Sequence, residues 1–213
     1  PVFIIIAVVI KLDSAGPVFF IQKRMMNKDK EFKMIKFRSM VQDADKKQID
    51  FEKLNLTDGP MFKIINDPRF TRVGRLISAL SLDELPQLIN VLLGQISIVG
   101  PRPLSDNELR YNPYWREVRL MVKQGVTGMW QAEGRKMEFE SWIRNDLFYV
   151  KNQSLSLDFK IIFNTARMLS TCIARQVKLR SKAVPIDVQA QKIKARPQFG
   201  SLKGSKSIYG KDC

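Results

Sequence analysis

Apolar residues run almost unbroken from Pro1 to Ile10 and stop at Lys11. The run is too short to span a bilayer, which takes about 20 residues. It predicts a buried strand, a core helix, or the second half of a longer membrane segment. Ser14-Ala15-Gly16-Pro17 is turn chemistry, and Val18–Ile21 predicts a short strand. In FKMIKFRSM (Phe32–Met40) apolar and basic positions interleave, which predicts a second strand paired with the first. Asp43–Leu56 is polar, charged and helix-compatible, and Asp58-Gly59-Pro60 and Asn66-Asp67-Pro68 read as turns. RVGRLISAL (Arg72–Leu80) predicts a short helix carrying Arg72 and Arg75.

SLDELPQLINVLLG (Ser81–Gly94) carries Leu85, Leu88, Ile89, Leu92 and Leu93 at helical spacing. It predicts a helix packed by that stripe, with Gly94 as its C-cap. Ile96, Ile98 and Val99 predict a short strand stopped by Gly100-Pro101-Arg102-Pro103. Asp106–Gln124 is helical in part, and Gly125-Val126-Thr127-Gly128 reads as a turn before Met129-Trp130-Gln131. Phe139–Val150 predicts a helix with Trp142, Leu147 and Tyr149. Leu157–Arg175 predicts the longest amphipathic helix, with Phe159, Ile162, Phe163, Ala166, Leu169 and Ile173 on one side. Such a face suits either a core or a membrane surface. From Gln176 the periodicity dissolves into a basic, Ser- and Gly-containing stretch, read as a flexible tail. The fold class expected is α+β, a small mixed sheet with several helices.

Composition narrows the chemistry. The 213 residues suffice for one domain with a real core, and 45% hydrophobic with 27% charged is not a disordered composition. A net charge of +15, from 36 Lys and Arg against 21 Asp and Glu, points to a polyanionic partner or to a solvated basic surface. Nucleic acid, anionic lipid and phosphorylated substrate all fit it. Cys172 and Cys213 are too few for a disulfide framework, and Cys172 falls in an apolar helical pattern. There is no histidine, which excludes His-based triads, His-ligated zinc and imidazole acid–base catalysis. Any catalysis runs on carboxylates, Lys and Arg, hydroxyls, or a metal held by oxygen.

Two adjacent carboxylates, Asp83 and Glu84, open the apolar SLDELPQL segment. Ser81 with Glu84 three residues later has the form of a capping box, and acidic residues suit a helix start. The surroundings support a second reading. Arg72, Arg75 and Arg102 lie on either side in sequence, and Lys36 and Arg38 fall on a predicted strand. An ionised carboxylate at a helix start suits a nucleophile, its neighbour suits Mg²⁺, and arginines suit a diphosphate. These are the parts of a phosphoryl-transfer site.

SLDELPQLINVLLGQISIVGPRP resembles the signature of the bacterial sugar transferases, the monotopic phosphoglycosyl transferases. IKLDSAGPVFFIQKR, FKMIKFRSM, GPMFKIINDPRFTRVGRLI, KQGVTGMWQAEGR and DLFYVKNQSLSLDFKII follow in the family's order, from Pro1 to about Leu169. One departure is Met26, which stands where the family usually has Gly two residues after the Arg of QxR.

The resemblance implies transfer of a sugar 1-phosphate from a UDP-sugar to membrane polyprenyl (undecaprenyl) phosphate, with release of UMP. Asp83 would be the nucleophile that forms a phosphosugar–Asp intermediate, and Glu84 would bind Mg²⁺. Lys36, Arg38, Arg75 and Arg102 would contact phosphate, with Arg135 of QAEGR toward the nucleotide. The resemblance also implies a re-entrant anchor broken at a proline matching Pro1. Residues 1–12 would then be its second half, 13–175 the catalytic domain and 176–213 the tail, and Leu157–Arg175 would lie at the membrane interface. The expected setting is the cytoplasmic face of the inner membrane, with membrane lipid as a partner, no nucleic acid, and the sugar and oligomeric state open. The rival readings are a non-catalytic basic module that binds membrane or nucleic acid, and an inactive truncated paralogue.

Overall fold

The computed structural model describes residues 1–56, 60, 62–64, 66–134 and 138–181, with side chains described through residue 174. Arg135, the Asp58-Gly59 turn, Cys213 and residues 182–213 of the expected tail lie outside the described residues.

Helix α1 (Val2–Asp13) leads into an antiparallel hairpin of β1 (Phe19–Met25) and β2 (Glu31–Phe37), the pairing expected from the alternating pattern. Met26 packs on the cluster of Phe32, Met34 and Ile96. Asn27 makes the hairpin turn, its Oδ1 accepting from the Asp29 and Lys30 amides at 3.0 and 2.9 Å. A 3-10 segment, Lys46–Leu54, stands where a polar helix was expected. Helix α2 (Arg72–Ala79) follows, capped by Thr71 and also by Asp13, whose Oδ2 accepts from the Val73 amide at 3.0 Å. Gly74 lies against the backbone of Ser39, where any Cβ would overlap the carbonyl. That close approach brings α2 onto the end of β2.

After α2 come a 3-10 turn (Leu82–Glu84), α3 (Gln87–Leu92) and β3 (Ser97–Val99). Helices α4 (Asp106–Leu109) and α5 (Pro113–Arg119) precede β4 (Gly125–Thr127), and α6 (Met129–Ala132), α7 (Phe139–Asn152) and α8 (Leu155–Ser181) complete the order. The Gly125–Thr127 stretch, expected as a turn, is a strand that pairs in parallel with β3. The single mixed sheet expected is thus two separate two-stranded sheets, β1–β2 and β3–β4. The α+β class stands.

The SLDELPQL segment departs most from expectation. Its helix is split, with Pro86 at the N-cap of α3, and of its apolar stripe only Leu85 packs inward. Leu88, Ile89, Leu92 and Leu93 are exposed, while Gln87 and Asn90 are buried. The reason is the free edge of β2. Asn90 Oδ1 accepts from the Ile35 amide at 3.1 Å, and Asn90 Nδ2 donates to the Lys33 carbonyl at 2.9 Å and to Gln95 Oε1 at 2.6 Å. The helix presents its polar face because an unpaired strand edge needs partners. Gly94, at φ +69°, ends the helix in the left-handed conformation expected of it.

The same inversion recurs on α8. Phe159, Ile162, Phe163 and Ile173 are exposed, while Ile161 and Cys172 are buried. The face expected as either core or membrane surface is an outward one. On α1, Ile6 and Ile10 pack with Phe37 and Ile77, while Ile4, Ile5, Val8 and Val9 remain exposed. Among the described residues no helix is long and apolar enough to cross a membrane.

Candidate active site

Asp83 and Glu84 sit in the 3-10 turn that links α2 to α3, and both are buried. Ser81 precedes them at φ 55°, ψ 19°, a left-handed conformation uncommon for a residue with a Cβ. Its side chain makes no capping bond, so the Ser81–Glu84 capping box expected from sequence is not formed. A sharp turn, held by Ser81 N to the Ser78 carbonyl at 3.0 Å and by Glu84 N to the Ser81 carbonyl at 3.3 Å, carries the pair instead. The macrodipole of a long helix therefore does not account for the dyad. Leu82 and Leu85 on either side pack on the Ile6, Ile10, Phe37 and Ile77 cluster, which fixes the turn against α1.

Two cations converge on one oxygen of this pair. Arg102 Nη1 donates to Glu84 Oε1 at 2.9 Å, and Lys36 Nζ donates to the same oxygen at 3.3 Å. Lys36 comes from β2, which Asn90 ties to α3, and Arg102 comes from the Pro101–Pro103 turn after β3. Burial holds the Lys36 pKa below its ordinary value, and Arg102 pushes the same way against the pull of Glu84 and Asp83. Burial also opposes the Arg102 charge, but Glu84, with Glu108 and Asp83, more than offsets it and the Arg102 pKa is raised. Asp83 acts on both cations in the direction of a close negative charge.

The other expected site residues lie differently. Arg38, buried just past β2, donates to the Ser14 carbonyl at 2.7 Å, to Ser14 Oγ at 3.0 Å and to the Ala15 carbonyl, and so holds the turn between α1 and β1. Arg75 is exposed on α2 and donates to the Asp67 carbonyl at 3.3 Å.

Beside the site lie charges that sequence reasoning missed. Arg24, buried at the end of β1, pairs with Glu108. Glu108 closes a capping box with Ser105, accepting from Ser105 N at 2.8 Å and Ser105 Oγ at 2.6 Å. The SDNE spacing of Ser105–Glu108 spelled this box, one motif downstream of where it was expected. Burial pulls the Arg24 pKa down against the pull of Glu108. Arg119 is fully buried and faces Asp146, and nothing in the charged PYWREVR segment sets it apart from Arg116.

The chain as a whole is similar to known proteins. The family model described as bacterial sugar transferase matches residues 1–172. The exopolysaccharide production protein ExoY of Sinorhizobium fredii is 36% identical over 180 residues, covering 82% of this chain and 79% of that protein. The undecaprenyl-phosphate galactose phosphotransferase of Salmonella typhimurium is 40% identical over 163 residues, covering 72% of this chain and 33% of that protein. The UDP-glucose:undecaprenyl-phosphate glucose-1-phosphate transferase of Klebsiella pneumoniae is 40% identical over 178 residues, covering 78% of this chain and 35% of that protein. The chain thus spans most of the first relative and about a third of the other two. On the matched residues, the ordered motifs and the buried acidic pair among cations, this chain belongs to the bacterial sugar transferase family.

Proposed function

We propose that this protein moves a sugar 1-phosphate from a UDP-sugar to a polyprenyl phosphate in the membrane. The observation that carries this is the buried Asp83–Glu84 pair with Lys36 and Arg102 on Glu84 Oε1, in a chain whose relatives are named as undecaprenyl-phosphate sugar phosphotransferases.

The Asp83 carboxylate attacks the β-phosphorus of the UDP-sugar. An Oδ–P bond forms, the bond from that phosphorus to the bridging oxygen breaks, and the electron pair leaves on UMP. A phosphate oxygen of the polyprenyl phosphate then attacks the same phosphorus and releases Asp83 as a carboxylate. Lys36 and Arg102 neutralise the charge that gathers on the phosphoryl oxygens, the main contribution a protein makes to such a transfer. Arg75 is the further phosphate-contacting candidate and Arg135 the candidate on the nucleotide side, while Arg38 holds the Ser14–Ala15 turn.

Mg²⁺ fits this donor set. The ion prefers oxygen and is held by one or two carboxylates plus substrate phosphates. Asp83 and Glu84 are two adjacent carboxylates, and no group of three or more His, Cys, Asp or Glu gathers among the described residues. Glu84 is the residue that would hold it, and the bound ion supplies further neutralisation of the diphosphate.

The outward apolar residues of α1, α3 and α8 support a place at a lipid surface, and the cytoplasmic face is the side we propose for it. The test is Asp83→Asn in the membrane-embedded full-length protein. Wild type given UDP-sugar alone gains the mass of a sugar phosphate and releases UMP, and the variant does neither. Undiminished UMP release by the variant would sink the nucleophile assignment. A panel of UDP-sugars in the same assay identifies the sugar.

A further inference from the structure

The Pro101–Pro103 turn presents Arg102 to Glu84, and its backbone is held from behind by Arg119. The Arg119 Nη2 group donates to the Arg102 carbonyl, with the Gln124 Oε1 acceptor at 3.5 Å and Asp146 Oδ2 also at 3.5 Å. Arg119 is fully buried at the end of α5, with its guanidinium over the face of Trp115 at 4.4 Å and near Trp142 at 5.7 Å. Asp146 is fixed in turn by Trp115 Nε1, which donates to its Oδ2 at 3.0 Å. Gln124 closes the ring by donating from Nε2 to the Arg119 carbonyl at 3.0 Å.

A guanidinium costs free energy in an apolar interior and is retained there only with partners. Arg119 spends its contacts on a main-chain carbonyl whose own side chain serves the reaction centre. The turn is pinned on its other side as well. Gly100 N donates to the Thr127 carbonyl and Gly125 N to the Pro101 carbonyl, each at 2.9 Å. Between these bonds and the two prolines, the Arg102 main chain has little room to move.

We propose that Arg119, held by Asp146 and the two tryptophans, is the positioning residue for Arg102. It touches neither substrate nor reacting atoms. It sets where the Arg102 guanidinium stands relative to Glu84, and through that the efficiency of phosphoryl transfer. The inference rests on the reading that Arg102 meets the substrate phosphates.

The experiment is a double-mutant cycle in the full-length membrane protein with Arg102→Ala, Arg119→Lys and the pair, reading kcat, KM for UDP-sugar and Tm. A lysine keeps a positive charge opposite Asp146, but it lacks the planar guanidinium that lies over Trp115 and carries Nη2 to the Arg102 carbonyl. Arg119→Lys is expected to lower kcat/KM about tenfold to 100-fold, the scale of a displaced catalytic group. Its kcat-against-KM split should match that of Arg102→Ala, and in the Arg102→Ala background it should cost nothing further. A fall in Tm with full kcat, or losses that multiply in the double variant, would overturn the inference while leaving the proposed reaction intact. Full activity of Arg102→Ala would remove both the phosphate role of Arg102 and this inference. Should Arg119→Lys fail to accumulate, Asp146→Asn takes its place in the same cycle with the same outcomes.

Discussion

Lys36 Nζ donates to Glu84 Oε1 across 3.3 Å, joining a strand residue to a turn 48 positions later in the chain. Arg102 reaches the same oxygen from a third segment. Three pieces of backbone therefore meet at one carboxylate, and each is held by its own device. Asn90 ties α3 to β2, Ser81 turns the chain before the dyad, and Arg119 backs the Arg102 turn.

Removing the charge of Glu84 should affect both stability and turnover. Lys36 and Arg102 would be left facing one another in a largely buried place. Glu84→Gln is expected to cost about 3–5 kcal/mol, the range for breaking a buried ion pair, and to suppress UMP release. Urea unfolding and the release assay measure the two effects separately. Excess chelator should also stop turnover of the wild type, and full activity in chelator would refute the Mg²⁺ assignment.

Asn90→Ala would leave the Ile35 amide and the Lys33 carbonyl without their side-chain partner. Each unsatisfied buried group costs about 1–3 kcal/mol. Denaturant midpoints should fall accordingly, and turnover of the remaining folded protein should fall with them because Lys36 loses its fixed distance to Glu84. A variant with full stability and full activity would show that α3 is not held by this edge.

Burial raises the Asp146 pKa to about 6, against the pulls of Arg119 and Trp115 in the other direction. A carboxyl with a raised folded pKa binds its proton more tightly folded than unfolded. Its stabilising contribution is complete below the ordinary carboxylate range and is lost as pH rises to about 6 and above. Across that window wild-type stability should fall by about 2–3 kcal/mol relative to Asp146→Asn, one pKa unit being worth about 1.4 kcal/mol. Urea midpoints of both proteins between the two ends of the window measure it, and parallel curves would refute it.

Leu92 and Leu93 are 87% and 64% exposed at the end of α3. Burying a leucine side chain is worth about 1.5–3 kcal/mol, and each 1.4 kcal/mol is about tenfold in affinity. Replacing both by Ser should weaken cosedimentation with phospholipid vesicles by at least about tenfold, with the unfolding midpoint unchanged. Unaltered vesicle binding would place the lipid contact elsewhere.

Much of this protein was legible in the order of its residues. The hairpin, α2, α7, the core of α8 and the Gly94 helix end followed from period, β-alternation and turn chemistry, because those signals are local. The absence of histidine and the Asp83–Glu84 pair among cations likewise limited the chemistry before any coordinates. The series of motifs pointed to the family that the comparison with known proteins shows.

What the tertiary structure alone decided is direction and partnership. A helical stripe says that one face differs from the other, not which face meets protein. On α3 the strand edge at Ile35 and Lys33 took the polar face through Asn90, and the leucines were left outward. Which cations reach the dyad is also non-local. Lys36 and Arg102 reach Glu84, whereas Arg38, two residues from Lys36, serves the Ser14–Ala15 carbonyls. Sequence supplies the charges, but only packing fixes which of them share an oxygen, because such contacts depend on distances between segments that no local pattern encodes.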